Sequence, residues 1–154
     1  MDYSIEELVQ LIQNWACERN IITGQSTTDG RLLPTFKWPE NGGDLIGQAR
    51  KLQEEANEVL EASAKITQAF NISPRYSHPE LQEYLLDRAL DELMDGVGDT
   101  LVVLAIICAG QGLDLRECLE YAYYQIKDRK GRMINGKFVK EENLPENINP
   151  RLSE

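Results

Sequence analysis

Hydrophobic positions in this chain recur at helical spacing through most of its length. Ser4-Ile5-Glu6-Glu7 has the form of a capping box opening a first helix that runs to about Asn20, with Ile5, Leu8, Leu11, Ile12 and Trp15 as its buried stripe. A second helix begins near Asp44 and continues to about Asn71, where Ile72-Ser73-Pro74 ends it. Pro79 stands at a first helical position, and Leu81, Leu85, Ala89, Leu93, Val97, Leu101, Leu104 and Cys108 carry the third pattern. So long a rod calls for a bend or a break, and Gly96 and Gly98 are the places for it. Gly110 and Gly112 terminate it, and Asp114 caps a fourth helix whose core face is Leu115, Cys118, Leu119, Ala122 and Ile126, closed by Gly131. Asn135-Gly136, between Ile134 and Phe138-Val139, signals a two-residue hairpin. The pattern predicts an all-α fold, a bundle of four to five helices with a small C-terminal β-hairpin.

Two stretches break the periodicity. From Thr23 to Asp44 the chain is punctuated by glycines and prolines, and loops longer than ~12–15 residues are commonly functional lids or mobile. Phe36, Lys37 and Trp38 in it would fold over a base and its phosphates, anchor the loop against the body, or meet a second subunit. After Lys140 the composition turns polar and proline-containing, a tail.

Composition bounds the function. With 154 residues the chain forms one domain with a real core, and 42% hydrophobic and 27% charged residues suit a soluble protein. The net charge of −10 argues against a protein that grips nucleic acid but is compatible with a cation site. No apolar run reaches membrane-spanning length, the longest being Leu101 to Ala109, and no basic leader precedes Asp2, Glu6 and Glu7, so the expected location is cytoplasmic, with no membrane partner. Cys17, Cys108 and Cys118 read as buried thiols. The lone histidine, His78, reads as a capping or surface residue and leaves no basis for a His-rich zinc site or a Ser-His-Asp triad.

What chemistry there is must therefore run on carboxylates, a metal and basic side chains. Glu54, Glu55 and Glu58 crowd one segment of the second helix, and Asp91, Glu92, Asp95 and Asp99 lie on the third. Like charges at such spacing cost a helix roughly 0.2–0.5 kcal/mol per pair, so these acids are either solvated or gathered round a cation. Two helices of one bundle can aim carboxylates at one another across ~8–10 Å, which suits Mg²⁺ or Mn²⁺ with the remaining positions left to water and substrate. Lys127, Arg129, Lys130 and Arg132 would hold phosphates, or else complement the dipole at the end of the fourth helix. Trp15 would meet a ligand or be core.

The combined pattern Gln48-x-x-Lys51-x-x-Glu54-Glu55-x-x-Glu58, then Asp95-Gly-Val-Gly-Asp99, Gly112-Leu-Asp-Leu115 and Ile126-Lys-Asp-Arg-Lys-Gly-Arg-Met133, resembles the MazG-like all-α nucleoside triphosphate pyrophosphohydrolases, the phage-type branch most of all. The resemblance covers residues 1–140, with 24–43 as a loop insertion and 141–154 as a tail. It implies Mg²⁺-dependent hydrolysis of a (d)NTP to (d)NMP and pyrophosphate, a role in cleaning the nucleotide pool, and a homodimer or homotetramer. By position it implies Glu55, Glu58, Asp95 and Asp99 as metal ligands and Glu54 as the base. Gln48, Lys51, Trp15, Lys127, Arg129 and Lys130 would meet the substrate. One departure stands out: where the family places a Glu, three residues before Asp99, this chain has Gly96. Asp95 is the expected substitute, and the literal Glu92-x-x-Asp95 is the rival assignment. The competing class is a non-catalytic helical dimerisation module with a solvated acidic face.

Overall fold

A computed structural model describes residues 2–24, 36–71 and 78–144. It is mostly helical: α1 (Ile5–Glu18), α2 (Leu45–Asn71), α3 (Pro79–Gly110) and α4 (Leu115–Ile126) precede a two-stranded antiparallel sheet of β1 (Gly131–Ile134) and β2 (Lys137–Lys140). The chain divides into two compact units, Met1–Leu115 and Arg116–Glu154. The expected stop signal of the second helix within 72–77, most of the 24–43 loop and the tail beyond Leu144 lie outside the described residues.

In the first unit, helix ends follow their local chemistry. Ser4 and Glu7 form the reciprocal capping box, at 3.1 and 2.7 Å. The Asp44 carboxylate accepts from Gly47 N–H at 2.7 Å and starts α2. His78 is the N-cap of α3 without a side-chain capping bond, and Pro79 follows it. At the far end Gly112 takes φ +65°, and Leu113 N–H and Gly112 N–H return to Cys108 and Ala109 carbonyls at 2.8 and 3.0 Å, a Schellman ending.

Helices α2 and α3 form the most extensive contact of this unit, running antiparallel: Gln82 reaches the Ala69 carbonyl, Lys65 pairs with Glu92, and Gly96 lies against Val59. The α2 seam is Gln48, Leu52, Glu55, Val59, Ala62, Ile66 and Ala69, spaced alternately four and three residues apart. The facing α3 seam is Gln82, Leu86, Ala89, Leu93, Gly96, Thr100 and Val103. That differs from the sequence expectation. Leu81, Leu85, Val97 and Leu101, read as part of the core row of α3, are between 39% and 52% exposed. Small residues on the seam let the backbones approach closely, so that row won the interface and left the larger apolar row uncovered.

The same correction applies to α1. Its buried residues are Gln13 and Ala16, whereas Ile5, Leu8, Leu11 and Trp15 are largely exposed. Nor does α3 break at Gly96 or Gly98; it is one uninterrupted helix. Near its C-terminus Ile106 and Ala109 join Ala16, Ile22 and Phe36 in the hydrophobic core. Phe36 and Trp38 therefore anchor the loop against the body, assisted by an antiparallel bridge between Thr23 and Lys37. Gly110 permits this, because a Cβ there would stand 2.4 Å from the Trp38 ring. Cys108 is buried, and Cys17 and Cys118 are half-buried; none of the three forms a disulfide among the described residues.

By length and composition alone, α3 is long and apolar enough to cross a membrane, although its uninterrupted apolar run is only Leu101 to Ala109. Its least charged 18-residue window, 93–110, still carries Asp95 and Asp99. Each Asp would cost roughly 2.5–3.5 kcal/mol at a bilayer centre.

Helix α4 has no buried residue: of its expected core face Leu115 and Cys118 are half-buried, Ala122 is exposed, and Leu119 and Ile126 are more than half exposed. The helix ends at Ile126, and Gly131 belongs to β1 instead of closing α4. The Asn135-Gly136 turn is as expected, with φ +49° and +76° and Ile134 paired to Lys137.

Candidate functional site

The acidic stretch of α2 places its three carboxylates in different surroundings. Glu54 points to solvent, 65% exposed at the side chain. Glu55 occupies a seam position where the pattern of its neighbours calls for an apolar residue, and it is only 1% exposed. Glu58, one turn on, is exposed. Burying a carboxylate costs several kcal/mol unless it is paired and fully hydrogen-bonded. Glu55 meets half of that requirement. Its Oε1 contacts the Lys51 ammonium, while Oε2 is buried without a hydrogen-bond partner.

Glu58 records the consequence. Its carboxyl is held above the ordinary glutamate range, first by the negative charge of Glu55 and then by partial desolvation; Lys51 opposes the rise, and Asp99 adds to it. Two carboxyl groups can share a hydrogen bond only when one is protonated, so at neutral pH Glu55 and Glu58 repel one another, with the Lys51 ammonium as the cation beside them. The close approach is set by Gly96: a Cβ there would lie 3.2 Å from Val59 Cγ2 and 3.3 Å from Val59 N. The glycine that departs from the expected acidic pattern is the residue that lets α3 bring Asp99 to Glu58.

Linkage gives this pair a sign. The folded state raises the Glu58 pKa, so its contribution to stability is fully present below the unfolded value of about 4.3 and is lost as pH rises through the folded value. In chelator, Glu58→Gln is expected to be more stable than wild type at neutral pH, with the gap closing on acidification. Urea denaturation of both proteins at several pH values measures it; a gap that widens towards acid would contradict the repulsion.

The other expected residues are distributed as follows. Asp95 and Asp99 line a groove of about 810 Å³ between α1 and α3, whose apolar wall includes Ile5, Leu8, Ile12 and Val102. Asp99 acts on Glu58, whereas Asp95 is not among the groups that shift it. Glu92 is committed elsewhere: Lys65 bonds it at 2.5 Å, with Arg88 at 4.0 Å, and these cations lower its pKa, Lys65 foremost. That occupation disfavours the rival Glu92-x-x-Asp95 assignment. Gln48 is half-buried on the Glu55 seam. Trp15 is 42% exposed, with the Arg19 guanidinium 4.5 Å from its ring centre, so it is not the core residue that its periodicity permitted.

Lys127, Arg129 and Lys130 belong to the second unit. Arg129 and Lys130 line a cleft of about 590 Å³ with Lys140, Asp128, Glu141 and Glu142, a mixed-charge surface, and Lys127 lies 4.9 Å from the Tyr124 ring centre. They follow the last assigned turn of α4; Lys127 N–H still closes a bond to the Tyr123 carbonyl at 2.9 Å, which leaves Lys127 as the cation at the helix end.

Among the described residues, no three Asp, Glu, His or Cys side chains converge tightly enough to surround one ion. The donors that do meet are hard oxygens from Glu55 and Glu58, with Asp99 across the crossing. A Mg²⁺ ion fits such a set, since it commonly takes one or two carboxylates and fills its octahedron with water and phosphate oxygens. The sequence reading missed the burial of Glu55 and the engagement of Lys51. The four-three spacing of Gln48, Leu52, Glu55, Val59 and Ala62 was the available signal for the first. Comparison with protein-family models, curated proteins and solved structures finds no match.

Proposed function

We propose that this chain is a divalent-cation-dependent nucleoside triphosphate pyrophosphohydrolase of the MazG-like type, converting (d)NTP to (d)NMP and pyrophosphate. The supporting observation is the α2–α3 crossing, where the buried Glu55 keeps one oxygen unpartnered and Glu58 feels the charge of both Glu55 and Asp99. Glu55 and Glu58 would hold Mg²⁺ or Mn²⁺, with Asp99 and Asp95 joining from α3 through bound water. When bound, the cation neutralises and orients the triphosphate. Glu54, exposed and next to the crossing, accepts a proton from the attacking water. Gln48, Trp15 and Lys51 contact the nucleotide, all three within the first unit. In this reading the protein is a bundle of the MazG-like kind that clears unwanted nucleotides in the cytoplasm and engages neither nucleic acid nor membrane.

The uncovered apolar rows of α1 and α3 support a homodimer or homotetramer, because contiguous exposed apolar surface of this kind marks an interface. The same rows favour the second reading, a helical dimerisation module without catalysis. One experiment separates the two. Incubation with a panel of NTPs and dNTPs and Mg²⁺ or Mn²⁺ is expected to release NMP and pyrophosphate, and none in chelator. NDP with orthophosphate, or no turnover of any nucleotide, would reject the pyrophosphohydrolase.

A further inference from the structure

Lys51 stands at i−4 from Glu55 and i−3 from Glu54 on the same helix, so one side chain reaches both carboxylates. Its ammonium contacts Glu55 Oε1 and lies 3.5 Å from Glu54 Oε2. The two acids differ in every other respect. Glu55 is sealed in the seam with its second oxygen unpartnered, while Glu54 is exposed and keeps water as an alternative partner. Lys51 itself is half exposed, on a flexible four-carbon stem, and already lies within reach of both.

We propose that Lys51 is an internal counter-cation of the site: its ammonium neutralises the buried Glu55 in the metal-free protein, and a divalent cation binds Glu55 by displacing it towards Glu54. The inference rests on reading Glu55 and Glu58 as a cation site and adds the exchange that filling it requires. A divalent ion reaching the free oxygen of Glu55 repels an ammonium on the other oxygen of the same carboxylate. The displaced ammonium finds Glu54 within reach, and no proton or covalent bond changes hands. Lys51 is thus a positioning residue with two stations, and its presence makes cation binding weaker than the carboxylates alone would allow.

Titration of Mn²⁺ into the full-length protein by calorimetry, with melting curves in chelator, tests this. Lys51→Met is expected to bind Mn²⁺ about tenfold tighter than wild type, within the usual range for two coupled ligands. In chelator it should melt several degrees lower, recovering when Mn²⁺ is added. Lys51→Arg keeps the charge and grips Glu55 with a two-pronged guanidinium; it should retain wild-type melting in chelator and bind Mn²⁺ more weakly. Equal or weaker Mn²⁺ binding by Lys51→Met, while wild type binds, overturns the exchange and leaves the cation site standing. Should Lys51→Met not fold, Lys51→Arg decides alone, because binding as tight as wild type overturns the proposal. No Mn²⁺ binding by wild type removes the site and the exchange together.

Discussion

Glu58→Gln is expected to lose Mg²⁺-dependent pyrophosphate release by about 100-fold or more, the scale of removing a preorganised electrostatic contact from a transition state. The same substitution should leave the helical circular dichroism intact and the metal-free protein no less stable. That combination is diagnostic. An ordinary structural glutamate, replaced by its amide, costs stability and activity together. Here the charge that is removed repels Glu55 and Asp99, so its loss relieves the fold while it disarms the site. Glu92→Gln is the contrast within the same helix pair. Its carboxylate serves Lys65 and Arg88, so nucleotide turnover should stay within a few-fold of wild type while the ion pairs are lost. Wild-type turnover in Glu58→Gln, or equal losses in both variants, would remove Glu58 from the site.

Gly96→Glu restores the acid that the MazG-like pattern places at this position, and it is expected to harm the protein. Replacing a helical glycine gains about 1 kcal/mol of propensity. Against that, a Cβ here meets Val59 Cγ2 at 3.2 Å and Val59 N at 3.3 Å, one of them backbone that cannot give way without moving α2. Overpacking of this kind costs about 1–3 kcal/mol before any charge is considered. The carboxylate would then have to leave a buried position beside the Glu58–Val59 backbone. A net loss of about 2 kcal/mol or more in urea denaturation is expected, with weaker Mn²⁺ binding as Asp99 is levered away from Glu58. A stable variant with tighter Mn²⁺ binding would mean that the helices cross elsewhere.

Both predictions rest on features only partly legible in the sequence. Local signals translated well. Ser4 and Glu7 form their box, Asn135-Gly136 makes its turn, and Gly112 ends α3, because each is decided within a few residues. Seam choice was harder to read. Periodicity reveals that a helix has an apolar row, but not which row meets a neighbour. On α3 two rows competed, and the one holding Ala89 and Gly96 prevailed over the one holding Leu85 and Leu101 because small residues permit closer packing. On α1 the row of Ile5, Leu8 and Leu11 is real and yet uncovered. The acidic motif was visible as a cluster, while the burial of Glu55 was not, since a carboxylate in a seam contradicts the ordinary preference for apolar residues there. The role of Lys51 escaped for a related reason: a lysine four residues before a glutamate usually marks a solvated helix surface.

The continuity of α3 ties the crossing mechanically to the loop anchor. One unbroken rod carries Gly96 and Asp99 at the crossing and Ile106 and Ala109 in the hydrophobic cluster with Phe36. Anything that tightens the crossing is therefore felt three turns away, where the loop anchor is docked. Amide protons around Ile106 should exchange more slowly once the acidic end is neutralised, so that a probe in the dry interior reads the state of a wet one.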